Sequence, residues 1–210
     1  LTSLIAKGGM GEVYKAVNNG TQQVVAVKFI TPKEGSLRAA RFKREYTQLK
    51  SLNHPRIIKV FDYNDQSDPP YLIMEYVQGR TLTQACQYIG GPLPVQAITL
   101  IFAQVAAALA HIHKTDAVHR DIKSSNIMVL NQTTRTGQVA VKVMDFGLIK
   151  PADASQPLTR IGAPMGTPAY MAPEQFVDAS RVDTRADLYS LGITMYEAAT
   201  GRLPFKGTPE

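Results

Sequence analysis

The sequence predicts an α+β protein of two lobes, a small antiparallel-sheet lobe over residues 1–77 and a larger, mainly helical lobe over 78–210. Two observations predict this division. Short apolar runs separated by glycine and Asn-Asn-Gly turns fill the beginning of the chain, whereas apolar residues at helical spacing prevail after Gly79. The length of 210 residues and the hydrophobic share of 44% are sufficient for a globular core.

The first lobe is predicted to be a sheet with one helix. Its elements are strands over 1–6, 12–17 and 23–30, a helix from Ser36 to about Leu52, and strands over 53–64 and 69–77.

The second lobe is predicted to contain three helices and a hairpin. Its elements are helices over 81–88, 95–114 and 184–201, hairpin strands over 126–130 and 138–144, and a loop-like region over 150–168. The part of the chain from Thr81 to His113 contains no charged residue other than histidine, and its apolar portion approaches membrane-spanning length. Gln96, Thr99 and Gln104 within it favour a helix buried in a soluble core, so we expect no membrane segment.

The charge and cysteine content narrow the possible partners and location. The net charge is +6, but the basic residues are scattered, and the densest group lies at Arg41 to Glu45. A solvated face or an anionic cofactor explains this balance, so we expect no nucleic-acid partner. The single cysteine, Cys86, excludes an internal disulfide and fits a reducing compartment.

A glycine-rich stretch lies between the first two predicted strands. It contains Gly8, Gly9 and Gly11 within four residues, in the sequence AKGGMGEVYKA. Such a stretch can hold phosphates with its backbone N–H groups, or it can be an ordinary hairpin turn. On its own the stretch leaves both interpretations open.

A lysine in the third predicted strand points to the first interpretation. The strand period places Ala26 and Lys28 on one face and Val25 and Val27 on the other. A lysine in so apolar a strand requires a partner. Glu45 lies in the apolar stripe of the next predicted helix and is the expected partner, although a surface pair with Arg41 is the alternative.

A second group of polar residues flanks the predicted hairpin. Asp121, Lys123 and Asn126 precede its first strand, and Asp145 follows its second strand. If residues 127–130 pair with 139–144, Asn126 and Asp145 meet at the same end of the hairpin. Oxygen ligands of this kind suit Mg²⁺, which also takes phosphate oxygens.

These motifs together resemble the catalytic domain of eukaryotic-type (Hanks-type) protein kinases, in particular the bacterial serine/threonine kinases. The motifs GGMGEV, VAVK, HRD, DFG and APE occur in the family's order over nearly the whole chain. The resemblance implies a bilobal kinase fold and an ATP-dependent transfer of phosphate to Ser/Thr hydroxyls of proteins. It also implies Mg²⁺ as the metal and a cytoplasmic location, either as a free enzyme or as the cytoplasmic domain of a membrane-anchored one.

The resemblance assigns a nucleotide-binding role to residues of both lobes. Gly8, Gly9 and Gly11 would cover the phosphates, and Lys28 would contact the α- and β-phosphates with Glu45 as its partner. Two further sets would hold the adenine: Ile5, Val13, Ala26 and Met128 by packing, and Glu75 and Val77 by backbone hydrogen bonds, behind Met74 as gatekeeper.

The resemblance also assigns the chemical step. Asp121 would accept the proton of the substrate hydroxyl, Lys123 would steady the transferring phosphoryl group, and Asn126 and Asp145 would hold Mg²⁺. Thr167 would contact Lys123 and Asp121 and shape the acceptor site.

The segment from Asp145 to Glu174 resembles an activation loop. We expect autophosphorylation between two molecules at Thr159, with Ser155 as a second site, and Arg120 as the partner of the added charge.

The sequence departs from the family pattern in two places. Ala6 replaces the first loop glycine, from which we expect weaker nucleotide affinity without loss of binding. The family continues beyond the helix that carries Asp187, so we expect this chain to be most of a kinase domain, shortened at both ends.

Two other functions remain open at this point. One is a non-catalytic nucleotide-binding or scaffolding module, against which the intact Lys28, Asp121 and Asp145 speak. The other is a small-molecule phosphotransferase of similar fold, which the APE motif and the activation loop disfavour.

Overall fold

The computed structural model describes residues 1–8, 11–30, 46, 49–133, 139–145, 168–177 and 182–205. The chain divides into two compact units, Leu1–Val77 and Gln78–Glu210.

The first unit is built on a five-stranded antiparallel sheet of order β1-β2-β3-β5-β4. The strands are β1 Ser3–Gly8, β2 Gly11–Val17, β3 Val24–Ile30, β4 Val60–Asn64 and β5 Tyr71–Glu75. All five fall within or beside predicted strands. The predicted helix over 36–52 lies mostly outside the described residues, and of those described, Tyr46 and residues 49–51 are helical.

The first half of the predicted strand 53–64 is wrong. His54 accepts the N–H of Ile57 at its carbonyl (3.1 Å) and the N–H of Arg56 at Nδ1 (3.2 Å), which closes a turn that begins before Pro55. Ile57 and Ile58 are only 2% and 6% exposed, so their apolar character reflects burial in the core and not membership of a strand.

One face of the sheet carries an apolar cluster. Val25 and Val27 lie in an apolar cluster with Ala16, and Phe29 and Phe61 pack against it. The alternation predicted for β3 accounts for this cluster, because residues two apart share a face.

The second unit contains a three-stranded antiparallel sheet and four helices within its described part. The sheet runs β6-β7-β8, with β6 Gly79–Thr81, β7 Ile127–Thr133 and β8 Val139–Val143. The helices are α1 Leu82–Ile89, α2 Val95–His113, α3 Pro173–Val177 and α4 Thr184–Thr200, with short 3-10 helices at Ser124–Asn126 and Pro168–Tyr170. Four short elements were not predicted from the sequence, each of five residues or fewer: β6, α3 and both 3-10 helices.

The predicted hairpin forms as expected. Ile127 pairs with Val143 and Val129 with Val141, and a register shift separates these pairs from the pair Thr133 and Val139.

Helix α2 is the central helix of the second unit. Its buried stripe packs towards β8 and α4 and consists of Ile101, Phe102, Val105, Ala108, Leu109 and Ile112. By length and composition alone this helix could cross a membrane, but the buried core helix of a soluble protein meets the same criterion. The buried stripe favours the core interpretation.

Candidate active site

The glycine-rich stretch joins β1 to β2 as a hairpin. Gly8 and Gly11 are paired across the two strands, and Gly9 lies outside the described residues. Gly11 has φ +129°, and a Cβ at this position would overlap the carbonyl oxygen of Phe29 in β3. Gly8 has open space around the position of a Cβ. The need for glycine at Gly11 therefore has a steric cause within the sheet, in addition to any contact with a ligand.

Lys28 lies on the sheet face opposite the apolar cluster. Its register partners are Val13 in β2 and Leu72 in β5, while Ala26 pairs with Met74. Directly paired residues share a face, as do residues two apart on one strand, so four predicted nucleotide-binding residues share one face: Val13, Ala26, Lys28 and Met74. Glu45, the predicted partner of Lys28, lies outside the described residues.

The residues predicted to bind adenine through their backbone lie at and after the end of β5. The N–H of Glu75 donates to the carbonyl of Lys59 at 2.8 Å. Val77 follows two residues after the strand. Ile5 lies at a register shift between β1 and β2, and its side chain is 46% exposed.

In the second unit, Asp121 lies at the centre of a network in front of the hairpin. Its side chain is 8% exposed, and its Oδ2 contacts Nζ of Lys123 at 2.9 Å. Nδ2 of Asn126 donates both to the carbonyl of Asp121 (2.7 Å) and to Oδ2 (2.8 Å). The carboxylate of Asp121 is therefore fixed by one cation and one amide. Met128 follows in β7, paired with Lys142.

The hairpin brings Asn126 next to the segment that carries Asp145, as its pairing predicts. The N–H of Met144 donates to the carbonyl of Asn126 at 2.8 Å. Asp145 follows with φ 45°, a left-handed conformation that an aspartate tolerates at some cost. Phe146 and Gly147 of the DFG motif lie outside the described residues.

The chemistry of Asn126 fits a cation ligand. Both hydrogens of its amide are directed to Asp121, so Oδ1 is the atom that can face a metal. Among the described residues no group of three or more His, Cys, Asp and Glu could hold a metal by itself. Asn126 and Asp145 would therefore need further oxygen ligands, from water or from a polyphosphate, to hold a cation.

Asp187 in α4 anchors the segment that precedes Asp121. Its side chain is completely buried, and it accepts the backbone N–H groups of His119 at Oδ2 and Arg120 at Oδ1, both at 2.8 Å. Nε2 of His113 also contacts Oδ2 at 2.8 Å. No role was predicted for Asp187 from the sequence. The sequence feature that could have indicated its role is an acidic residue within a predicted helix, flanked by the apolar residues Ala186 and Leu188.

His119 links this anchor to the hairpin. Its Nε2 donates to the carbonyl of Met144 (3.1 Å), and its Nδ1 accepts the N–H of Asp121 (3.3 Å). This pattern requires a neutral imidazole. Complete burial lowers the pKa of His119, and the charges of Asp187, Asp121 and Asp145 act in the opposite direction.

Arg120 has a left-handed backbone, with φ 64°, and a half-buried guanidinium. Its NH2 group donates to the carbonyl of Val182 at 3.5 Å, while Nε is buried and has no hydrogen-bond partner among the described residues. Burial lowers its pKa, although Asp187 opposes this effect. Ser155, Thr159 and Thr167 lie outside the described residues.

A sheet unit that carries a glycine-rich hairpin and a strand lysine, and a second unit with an Asp–Lys–Asn network before a β-hairpin, are the two parts of a protein kinase catalytic domain. Residues 1–210 match the protein kinase domain family, and the chain belongs to this family. Protein kinases use ATP with a divalent metal and act on protein substrates.

The chain is similar to bacterial serine/threonine kinases. A probable serine/threonine-protein kinase of Clostridium perfringens is 39% identical over 209 residues, covering 99% of this chain and 29% of that protein. Serine/threonine-protein kinase pkn2 of Myxococcus xanthus is 37% identical, covering 97% of this chain and 24% of that protein. PknB of Mycobacterium tuberculosis is 38% identical, covering 99% of this chain and 33% of that protein. The chain thus spans only a quarter to a third of the length of these relatives.

Proposed function

We propose that the chain is the catalytic domain of a serine/threonine kinase, which transfers the γ-phosphoryl group of Mg·ATP to hydroxyl groups of proteins. The observation that carries this proposal is the network around Asp121, a nearly buried carboxylate fixed by Lys123 at 2.9 Å and Asn126 at 2.8 Å. A carboxylate held in this way can accept a proton from a hydroxyl in a defined direction.

The chemical step requires mainly positioning and neutralisation of charge. Asp121 would orient the acceptor hydroxyl and take its proton as the oxygen bonds to the γ-phosphorus. The bond from that phosphorus to the β-phosphate oxygen would break, and ADP would leave. Lys123, whose side chain is 17% exposed, is near enough to Asp121 to place its positive charge beside the transferred group. When bound, Mg·ATP supplies the phosphoryl group and the charge of the metal.

Asn126 and Asp145 are the residues that we propose as ligands of Mg²⁺. Oδ1 of Asn126 is oriented for this role by the two hydrogen bonds that its amide donates to Asp121. The same two bonds couple the metal site to the proton acceptor, because a displacement of Asn126 would also release the carboxylate.

The first unit is proposed to bind the nucleotide. Val13, Ala26 and Met74 present an apolar surface on the sheet face that also carries Lys28, which we propose as the contact to the α- and β-phosphates. Gly8, Gly9 and Gly11 would offer backbone N–H groups, and Glu75 and Val77 would bind the adenine edge. Ile5 and Met128 complete the proposed packing, and Glu45 is the proposed partner of Lys28.

The experiment that tests this function is transfer of labelled phosphate from ATP to a generic basic protein. The variant Asp121→Asn should reduce transfer by a factor of about 100 or more, since it removes the proton acceptor. Asp183→Asn is a matched control, because Asp183 caps α4 on the surface and asparagine caps helices equally well. Equal labelling by the wild type and Asp121→Asn would refute the proposal. Binding of ATP without transfer would indicate a non-catalytic module, and labelling of sugars alone would indicate a small-molecule phosphotransferase.

We further propose that two molecules associate and phosphorylate each other at Thr159, with Ser155 as a second site. The support is Arg120, whose buried Nε has no partner within the described residues and whose guanidinium could bind a phosphate. Mass spectrometry after incubation with ATP should find Thr159 modified. An active sample with unmodified Thr159 would contradict this proposal.

A cytoplasmic location, as a free enzyme or as the cytoplasmic domain of a membrane-anchored kinase, is the accompanying proposal. It is supported by the requirement for ATP and by the single cysteine of the chain. Fractionation of cells should find the ATP-binding domain accessible to protease only after the cell membrane is opened.

A further inference from the structure

A pair of hydroxyl groups joins helix α1 to the segment that carries the proposed catalytic residues. Oγ1 of Thr83 donates a hydrogen bond to Oγ of Ser124 at 2.7 Å, across 41 positions of the sequence. Ser124 is 5% exposed and opens the 3-10 turn Ser124–Asn126. The distance is the usual one for a hydrogen bond between two hydroxyls, and one partner is almost completely buried.

The position of Thr83 is fixed by the strand and helix around it. Thr81 ends β6, where it pairs with Met128 in β7, and it also caps α1. The cap is a capping box, in which Thr81 Oγ1 accepts the N–H of Gln84 (3.2 Å) and Gln84 Oε1 accepts the N–H of Thr81 (2.9 Å). Leu82 is completely buried beside it. The hydroxyl of Thr83 is therefore held in place before it meets Ser124.

The position of Ser124 determines what the bond can influence. It lies directly between Lys123, which contacts Asp121, and the turn that presents Asn126. The N–H of Asn126 donates to the carbonyl of Lys123 at 2.9 Å, which closes this turn around Ser124. A displacement of Ser124 would shift both groups that fix the carboxylate of Asp121.

A second contact of Ser124 leads towards α4. Ser124 Oγ lies 3.5 Å from the hydroxyl of Tyr170, which in turn donates to Oε2 of Glu197 at 2.8 Å. Burial raises the pKa of Tyr170 to about 12, so its hydroxyl remains a donor at physiological pH. The 3.5 Å contact to Tyr170 is at the limit of a hydrogen bond, so the 2.7 Å bond from Thr83 is the stronger of the two interactions of Ser124 Oγ.

We propose that Thr83 is a positioning residue of the kinase reaction, which acts through Ser124 on the orientation of Asn126 and Lys123. The inference depends on the proposed function for its catalytic consequence, but its structural part can be tested in the protein without nucleotide. In this proposal, helix α1 holds the turn Ser124–Asn126 in place through Thr83.

The test compares Thr83→Val, Ser124→Ala and the double variant with the wild type in the full chain. Thr83→Ser keeps the hydroxyl and should keep the activity. Thr99→Val is the matched control, because within the described part of the chain the hydroxyl of Thr99 bonds only to the carbonyl of Val95, in its own exposed turn. The measurements are kcat and KM for ATP, the melting temperature, and hydrogen exchange of the peptide that contains Asn126 in the nucleotide-free protein.

We expect kcat to fall about fivefold in each single variant, the factor that one ordinary hydrogen bond represents, with KM for ATP unchanged. The double variant should be no slower than Ser124→Ala, because that single variant already removes the bond to Thr83 as well as the weaker contact to Tyr170. Hydrogen exchange of the backbone N–H of Asn126 should accelerate by a similar factor, while the backbone N–H groups of residues 139–143 should exchange as in the wild type.

Three results would overturn the proposal: unchanged exchange in both single variants, effects that multiply in the double variant, or a lower melting temperature with unchanged kcat. If the wild type itself transfers no phosphate, the proposed function fails, and the exchange data alone decide whether Thr83 positions the turn.

Discussion

Replacement of Asp187 by asparagine tests whether helix α4 holds the segment that carries the proposed proton acceptor. The carboxylate is completely buried and accepts the backbone N–H groups of His119 and Arg120, each at 2.8 Å. Because the two bonds go to two different oxygens, an amide with a single oxygen can keep at most one of them. The other N–H would face an NH₂ group and remain buried without an acceptor.

The expected loss of stability follows from these contacts. A buried donor without a partner costs about 1–3 kcal/mol, and the remaining bond loses its charge assistance, which is worth about 1 kcal/mol. The sum predicts that Asp187→Asn lowers the free energy of unfolding of the second unit by about 3 kcal/mol. The proposed phosphate transfer should also slow, because Asp121 follows directly after the released segment.

The assay is urea unfolding at neutral pH, followed by circular dichroism, of the wild type, Asp187→Asn and Asp183→Asn. Asp183 lies on the same helix, but it caps the surface end and its side chain is 49% exposed. Asparagine is an equally good cap, so this variant should unfold close to the wild-type midpoint. A midpoint for Asp187→Asn that coincides with that of Asp183→Asn would refute the anchoring role.

The remaining predictions concern a buried histidine and a glycine. Because burial lowers the pKa of His119, the unfolded chain binds more protons, and the free energy of unfolding should fall below pH ~6.5 by up to about 1.4 kcal/mol per pH unit. Urea unfolding from neutral pH to about pH 5 should show this fall in the free energy of unfolding in the wild type and not in His119→Gln. An equal dependence of that free energy on pH in the two proteins would contradict the prediction. Gly11→Ala should destabilise the first unit by about 1–3 kcal/mol, since φ +129° and the carbonyl of Phe29 exclude a Cβ. Gly8→Ala has open space and should shift the melting temperature far less; equal shifts would show that the close approach at Gly11 has no energetic effect.

Local patterns were sufficient to predict most of the regular structure. The alternation in β3 places Val25 and Val27 in the apolar cluster, and the paired strands β7 and β8 bring Asn126 beside Met144 as predicted. The predicted α+β fold with a sheet lobe and a helical lobe is confirmed. Prediction failed where apolar residues are buried without belonging to a strand, as at Ile57 and Ile58, and where an element is too short to show a period.

Contacts between distant side chains and backbone could not be predicted. Gln104 illustrates this, because in the sequence it only argued against a membrane span. In the structure its Nε2 donates to the carbonyl of Val139 (2.9 Å), and its Oε1 accepts the N–H of Val141 (3.4 Å). Its side chain therefore satisfies the backbone of the edge strand β8 from helix α2. No periodicity of the sequence encodes a bond across 35 positions.

The candidate site could also be predicted only in part, because the side chains that hold its motif residues in place are distant in the sequence. The motif residues Asp121, Lys123 and Asn126 are adjacent in sequence and can be found there. The groups that hold them in place, Thr83 and Asp187, lie 41 and 67 or more positions from the residues that they contact. All of these contacts lie within the second unit, so the orientation of the proposed proton acceptor is determined there. The first unit supplies the proposed nucleotide-binding face, and a change in Lys28 should therefore impair nucleotide binding without loosening the network around Asp121.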